Sequence, residues 1–224
     1  MKESGVAFGH GGGPPVDGRL DAPAFHRNHG AIWSVIAPFL HGRTGDVLEA
    51  GSGTGQHVIA FARQSPHIVW WPSDIDAEHL QSIEAWRVHA RLPNVRPPLR
   101  IDLSQSEWGL GKHEHSPPDK LLAIFCTNVL HIAPWRVAEG LLQGAARHLR
   151  TDGRMFIYGP FMRNGEHTAP SNAAFDASLR RSDPEWGVRD MDDLDVLAEA
   201  VGLKMIEVVD MPANNFILIF EHQR

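Results

Sequence analysis

The ten residues from position 46 to position 55 constrain the fold of this chain more than any other segment. They read Asp-Val-Leu-Glu-Ala-Gly-Ser-Gly-Thr-Gly, so a short apolar run leads into Glu49 and then into three alternating glycines. This order predicts a buried strand, a tight loop and a helix. Glycine lets a backbone pass close to a ligand and adopt angles that a Cβ disfavours. We therefore predict a ligand-binding loop at the end of a strand.

Two common glycine motifs do not match this loop. A dinucleotide fingerprint, Gly-x-Gly-x-x-Gly, requires glycine at position 56, where this chain has Gln56. A phosphate-binding P-loop ends in Gly-Lys-Ser/Thr, and no such lysine follows Gly55. The acid before the loop, Glu49, would also repel a phosphate. The loop suits a ligand that is cationic or rich in hydroxyl and amine donors.

Composition narrows the class of protein. The 224 residues, 42% of them hydrophobic, are enough for one domain with a real core. A net charge of −6 without a basic block argues against a nucleic-acid partner. The single cysteine, Cys126, excludes an internal disulfide and fits a reducing compartment. With no apolar run near the roughly 18 residues of a membrane span, we expect no membrane partner and a cytoplasmic location.

The rest of the chain alternates between strand and helix patterns. Residues 1–22 read as a flexible tail, and 23–224 as a single domain. Two late strands, Lys204–Val209 and Phe216–Phe220, are joined by too few residues for a crossover helix, so they must pair antiparallel. Four further strands follow the first one, at Ile68–Pro72, within residues 94–103, at Leu121–Cys126 and at Met155–Tyr158. We predict an α/β fold with a Rossmann-like, doubly wound, mostly parallel seven-stranded sheet that ends in an antiparallel hairpin.

The segment from about 159 to 190 is longer than an ordinary connection. It reads as irregular, with one short helix that begins after Asn172. Its aromatic and polar side chains favour a lid or a substrate-binding insertion. The alternative is a packed subdomain in which Phe175 and Trp186 belong to the core.

Candidate chemistry collects where the strands end, because ligands of open α/β sheets bind beyond the carboxyl ends of the strands. His131 follows the fourth strand and is an acid/base candidate, since imidazole titrates near neutrality. The alternative is a structural histidine at the start of a helix. The run His113-Glu114-His115 offers metal-binding side chains, but neighbours in a loop have no preset geometry. We expect a solvated loop there and no metal.

The pattern Glu49-x-Gly51-x-Gly53-x-Gly55 resembles the first motif of class I S-adenosylmethionine-dependent methyltransferases, and the closing hairpin is typical of their sheet. More specifically, the chain resembles a widespread methyltransferase-like family that carries only a domain-of-unknown-function label. His26 replaces the acidic residue that usually precedes Arg-Asn in that family. The resembling segments span residues 24 to 220 and are Arg27-Asn28, Leu48–His57, Trp71–Asp74, Asn128–Ile132, Tyr158–Phe161, Ser171–Asp176 and Met211–Asn215.

The resemblance implies S-adenosylmethionine as cofactor and S-adenosylhomocysteine as product. It implies that Asp74 accepts the ribose hydroxyls, unless it merely caps a helix, and that Asp102 meets the adenine amino group, unless it caps or is solvated. Asn128 would orient the donor. The cofactor-binding residues that it implies are Arg27, Asn28, Glu49, Gly51, Ser52, Gly53, Thr54, Gly55, Asp74, Ile75, Asp102, Leu103 and Asn128.

The function that follows is methyl transfer to an oxygen or nitrogen atom of a small molecule. His131 or Tyr158 would take the acceptor proton, and positioning would supply much of the rate enhancement. The alternative is a cofactor-binding or regulatory protein of the same fold without transfer activity. Gln56 and the terminal hairpin disfavour a nicotinamide-dependent oxidoreductase. The sequence specifies neither the methyl acceptor nor the oligomeric state.

Overall fold

The computed structural model describes residues 17–112 and 116–223. Strands and helices alternate along the chain, as the sequence pattern predicts. The helices are α1 (Pro23–Leu40), α2 (Gln56–Gln64), α3 (Ala77–Ala90), α4 (Trp135–His148), α5 (Pro170–Ser182) and α6 (Met191–Ala200). The strands are β1 (Gly45–Ala50), β2 (Ile68–Asp74), β3 (Leu99–Arg100), β4 (Leu121–Thr127), β5 (Leu149–Gly159), β6 (Phe161–Arg163), β7 (Glu166–His167), β8 (Arg189–Asp190), β9 (Leu203–Met211) and β10 (Asn215–His222).

Seven strands form the central sheet, in the order β3-β2-β1-β4-β5-β10-β9. All pairs from β3 to β5 are parallel, whereas β10 runs antiparallel to both β5 and β9. The strand order reverses between β1 and β4, and a crevice for a ligand forms at such a switch point. The predicted doubly wound sheet with its closing hairpin is confirmed.

Helices cover both faces of the sheet, and successive side chains of β4 therefore enter different apolar layers. Phe125 packs beneath α1 and α2 with Phe61 and Ile32. Ile124 and Cys126 point the other way, toward α4 and α6. Across the described residues, no helix combines the length and the apolar character that crossing a membrane requires.

The N-terminal boundary differs from the sequence prediction. Helix α1 begins at Pro23, and residues 17–22, expected from the sequence to belong to the tail, pack on the domain with Leu20 buried. The third strand lies within the predicted range 94–103 and is short, since β3 spans only Leu99–Arg100 with an isolated bridge between Trp70 and Val95. Two consecutive prolines precede β3, and proline has no N–H for a strand ladder.

The segment from 159 to 190 is more ordered than the sequence suggests. It contains the 13-residue helix α5 and a second sheet of order β7-β6-β8. The strands of this sheet are two or three residues long. Strands β6 and β8 pair across the intervening helix, a long-range contact that leaves no periodic pattern in the sequence. We call residues 159–190 the insertion.

Candidate functional site

Three glycines shape the loop between β1 and α2. Gly51, Gly53 and Gly55 have φ of +73°, +55° and +87°, a region that favours glycine. A Cβ on Gly51 would lie 2.5 Å from Val129 Cγ2, and one on Gly55 would lie 2.9 Å from Ile83 Cα. A Cβ on Gly53 would meet nothing within 4 Å. The outer two glycines therefore permit close packing, whereas Gly53 borders open space.

The loop is fastened to the end of β2 by hydrogen bonds. Ser52 N donates to Ser73 O at 2.7 Å, and Ser73 N donates to Ser52 Oγ at 3.1 Å. Gly53 N donates to Asp74 Oδ2 at 2.8 Å. These bonds place the Asp74 carboxylate beside the opening at Gly53.

Glu49 lies beneath the loop and is 1% exposed. Burial, reinforced by the nearby Asp74 carboxylate and opposed by a Ser52 hydrogen bond, raises the pKa of Glu49 to about 8. Its Oε2 atom has no hydrogen-bond partner among the described residues. Buried polar atoms of folded proteins nearly always have a partner, so an atom without one inside the protein is suited to bind a ligand. Glu49 is therefore a buried acid with one free oxygen at the base of a glycine loop.

Asp74 has several partners besides the loop. Its Oδ1 accepts from Asp76 N at 3.0 Å and lies 3.4 Å from His79 Nδ1. Asp76 is the N-cap of α3, and its side chain accepts from the amides of Glu78 and His79. Asp74 raises the pKa of His79 through a hydrogen bond. Sequence reasoning missed His79 because, among 14 histidines, only the tertiary structure places this one against a strand end.

Three further residues that the resemblance implies for cofactor binding, Ile75, Asp102 and Leu103, take different environments. Ile75 is 53% exposed and presents an apolar surface next to Asp74. Leu103 is buried in the apolar core. Asp102 Oδ1 accepts from both N and Oγ of Ser104, which lower the pKa of Asp102, so this oxygen closes a turn.

The end of β4 contributes two further residues. Asn128 adopts φ of +57°, and its backbone N–H donates to Tyr158 O at 2.9 Å. Beside it, Thr127 Oγ1 is buried and finds no partner within the described part of the chain. Strands β1 and β4 are parallel neighbours, so their carboxyl ends lie side by side. The buried polar atoms without partners, on Glu49 and Thr127, therefore both occur at these strand ends.

His131 occupies a short 3₁₀ turn after β4 and is 7% exposed. Burial, and secondarily the guanidinium of Arg189, lower the pKa of His131 to about 4. The ring makes an edge contact with Phe175 at 5.3 Å between centroids. A Cβ on Gly159 would lie 3.5 Å from His131 Nδ1. His131 is thus a neutral imidazole enclosed by the insertion and the end of β5.

The C-terminal arm of the insertion holds the turn that carries His131. Gly187 N donates to His131 O at 3.0 Å. Arg189 donates through Nε to Leu130 O at 3.0 Å and through Nη2 to Ala133 O. Three carbonyls of the turn region are therefore bound to one short stretch of the insertion.

Tyr158 packs in the apolar layer beneath α1 and α2. Burial raises the pKa of Tyr158, while a hydrogen bond from Asn28 and the charge of Arg27 oppose the shift. Asn28 is buried, and its Oδ1 is 2.8 Å from His57 Nε2. Burial lowers the pKa of His57 to about 3, so the ring is neutral, and because an amide oxygen can only accept, the Nε2 atom donates to Asn28 Oδ1. Asn28 thus joins α1 to α2 and β5, whereas Arg27 is exposed.

The histidine-rich run at His113, Glu114 and His115 lies outside the described residues. Elsewhere, in the part of the chain that the structure describes, no three His, Cys, Asp or Glu side chains converge as a metal site would require.

Solved structures share this architecture. The chain matches a putative O-methyltransferase of Nostoc punctiforme with a TM-score of 0.72 and 16% identity, over 91% of this chain and 58% of that one. It matches an O-methyltransferase family protein of Burkholderia thailandensis with a TM-score of 0.69 and 14% identity, over 89% and 60%.

A methyltransferase of calicheamicin biosynthesis, solved with S-adenosylhomocysteine bound, matches with a TM-score of 0.64 and 17% identity, over 88% of this chain and 55% of its own. The chain thus spans less than two thirds of the length of these structures. At such identities the likeness shows the fold, which is that of class I methyltransferases.

A family model also matches most of the chain, from residue 19 to residue 222, and its description is "Protein of unknown function (DUF938)". The match begins within the packed segment before α1 and continues to the end of β10. The chain therefore belongs to the DUF938 family.

Proposed function

We propose that this protein is a methyltransferase that uses S-adenosylmethionine and methylates an oxygen or nitrogen atom of a small molecule. The observation that carries the proposal is the buried Glu49 carboxyl at the end of β1, directly before the glycine loop, whose Oε2 has no partner among the described residues. The fold agrees with that of the two matching O-methyltransferase structures.

The residues present fit a cationic amino-acid ligand better than a phosphate. An ammonium would satisfy Glu49 Oε2 and draw the carboxyl to its charged form, because a nearby positive charge lowers the pKa of an acid. Asp74, beside the Gly53 amide, offers carboxylate oxygens to neighbouring hydroxyls. Exposed Ile75 offers an apolar surface for an aromatic base. The Asp74 carboxylate beside the Gly53 amide would repel a pyrophosphate, which disfavours a dinucleotide.

The bound cofactor would supply a methyl group on a positively charged sulfur, already activated for in-line displacement. The protein's task is then to orient the acceptor and to receive its proton. His131 is neutral at pH 7, so its ring can accept that proton, but a pKa of about 4 makes it a weak base. Such a base suits an acceptor that ionises readily. The insertion, which encloses His131, would exclude water from the acceptor.

A second function, cofactor binding without methyl transfer, is favoured by the pKa shifts of His131 and Tyr158. Neither His131, with a lowered pKa, nor Tyr158, with a raised one, is tuned to take a proton near neutrality. A protein that binds the cofactor without transferring its methyl group would need no such tuning. Both functions require binding of the same cofactor, and only the first includes transfer of its methyl group.

Titration calorimetry with S-adenosylmethionine tests the binding step. Gly53→Val should abolish the binding heat, because the side chain would enter the open space at Gly53, beside the Asp74 carboxylate. Gly42→Val is the matched control, since Gly42 also has positive φ, at +71°, and open space at its Cβ position. Equal binding by both variants would contradict the assignment, as would a wild-type protein that binds NAD instead.

Transfer is tested separately with S-adenosylmethionine labelled in its methyl group. The purified protein is incubated with pools of small hydroxylated and amino metabolites, and label in organic products is measured. We expect a labelled product from wild type and a strongly reduced yield from His131→Asn. Cofactor binding without any labelled product would favour the second function.

A further inference from the structure

The six residues from 17 to 22, which we call the strap, lie across α3 and the start of α2. Leu20 N donates to Ser82 Oγ at 2.8 Å, and Trp86 Nε1 donates to Leu20 O at 2.9 Å. The guanidinium of Arg19 lies 4.6 Å from the centre of the Trp86 ring and pairs with Asp17 at 2.6 Å. Side chains of the domain thus bind the strap's backbone directly, without a strand ladder.

Gln56 connects the strap to the glycine loop and is 4% exposed. Its Oε1 accepts from Ala22 N at 2.7 Å and from Thr54 Oγ1 at 3.0 Å. Its Nε2 donates to Asp21 Oδ1 at 2.7 Å. This is the position where a dinucleotide motif has glycine, so the residue that breaks that motif has a structural task here.

Ser82 makes a second connection of the same kind. Its hydroxyl accepts from Leu20 N and donates to Thr54 O at 2.8 Å. Ser82 is fully buried. The Thr54 hydroxyl therefore bonds to Gln56, and the Thr54 carbonyl bonds to Ser82. Each of these two side chains also bonds to the strap.

The loop needs such restraint because of its composition. Glycines lose more conformational freedom on ordering than other residues, and three of the five loop residues are glycine. Thr54 is the one residue between Gly53 and Gly55, so fixing Thr54 restricts both neighbours. A loop that is already ordered would bind its ligand without a further entropy cost.

We propose that the strap orders the cofactor loop, with Gln56 and Ser82 acting as positioning residues that transmit the strap's position to Thr54. The inference rests on the proposed function for the identity of the ligand. The ordering of the loop itself does not depend on that identity. The strap is then part of the binding machinery, not a tail.

The test measures two quantities, the order of the loop in the free protein and the affinity of the protein for its ligand. Gln56→Met keeps the side-chain length and removes its hydrogen bonds, and Gln64→Met is the control, because Gln64 is an exposed glutamine at the other end of α2. Amide hydrogen exchange over residues 51–55 is recorded on the free protein. Titration calorimetry then gives the affinity for S-adenosylmethionine.

We expect Gln56→Met to accelerate exchange in the loop and to weaken S-adenosylmethionine binding about tenfold, the equivalent of one or two hydrogen bonds. Gln64→Met should resemble wild type in both measurements. Equal loop exchange in the two variants would overturn the proposal. If wild type binds no S-adenosylmethionine, the proposed function fails while hydrogen exchange still decides the role of the strap.

Asp21→Ala supplies a second variant that leaves the loop and α2 untouched. It removes the acceptor of Gln56 Nε2 and also the exposed pair of Asp21 with His26 on α1, so the double variant with Gln56→Met decides whether its effect on the loop passes through Gln56. We expect it to accelerate loop exchange, and its effect should not add to that of Gln56→Met in the double variant. Full additivity would show that the strap and the loop are independent, which contradicts the proposal.

Discussion

Replacing Glu49 by glutamine should stabilise the free protein, and the size of the effect should depend on pH. The folded state holds the Glu49 pKa at about 8, against 4.5 for the unperturbed group. Between these values the folded state binds a proton that the unfolded state has lost. Wild-type stability therefore falls as pH rises from 4.5 to 8, and it is constant above that range for this group.

The magnitude follows from the shift. One pKa unit corresponds to about 1.4 kcal/mol, so at pH 7 ionisation of the unfolded state costs the wild type roughly 3 kcal/mol. Above pH 8 the cost approaches about 5 kcal/mol. Glutamine retains the size and hydrogen-bonding groups of the protonated acid and does not ionise. The free energy of unfolding of Glu49→Gln should therefore exceed that of the wild type by these amounts at pH 7 and above pH 8. Near pH 4.5 the two free energies should be almost equal.

Urea unfolding of both proteins between pH 5 and pH 8.5 measures the difference, and Glu199→Gln is the control because its side chain is exposed on α6. S-adenosylmethionine affinity should change in the opposite direction, weakening about tenfold or more with the loss of a charge-assisted bond. A stability difference that does not grow with pH, or a destabilised variant at pH 7, would show that Glu49 is ionised in the free protein.

Three further outcomes are expected. Gly55→Ala should lower the free energy of unfolding by roughly 2 kcal/mol or more in urea titrations, because its Cβ would lie 2.9 Å from Ile83 Cα at a φ of +87°. Asn94→Ala should cost about 2 kcal/mol by the same measurement, since the two hydrogens of Asn94 Nδ2 are shared among three buried carbonyl oxygens at 3.0–3.1 Å, and an unchanged midpoint would contradict this. Arg189→Met should raise the pKa of His131 above its value of about 4 in an NMR titration, because a neighbouring positive charge is lost. A constant or lower value would mean that the guanidinium does not act on the ring.

Local patterns predicted the elements whose contacts are close in sequence. The connection between β9 and β10 is too short for a crossover, so their antiparallel pairing followed from chain length alone. Asp76 could be recognised as the N-cap of α3 because its partners, the amides of Glu78 and His79, are two and three residues away. The glycine loop was found for the same reason.

The insertion shows where local reasoning stops. Its strands are too short to display a period, and β6 pairs with β8 across a helix. The binding of Arg189 to the carbonyls of Leu130 and Ala133 joins segments more than fifty residues apart. Backbone acceptors carry no side-chain signal, so no residue type in the sequence marks this contact.

Periodicity, chain length and glycine spacing act over a few residues, so they were enough to predict the sheet, its closing hairpin and the position of the glycine loop. The chemical state of the site depends instead on tertiary contacts. Burial beneath the loop makes Glu49 a neutral acid, and burial beside the insertion makes His131 a neutral base. Tertiary contacts also place the strap on Gln56 and Ser82. Desolvation and long-range hydrogen bonds depend on which segments meet, and a linear sequence does not display that.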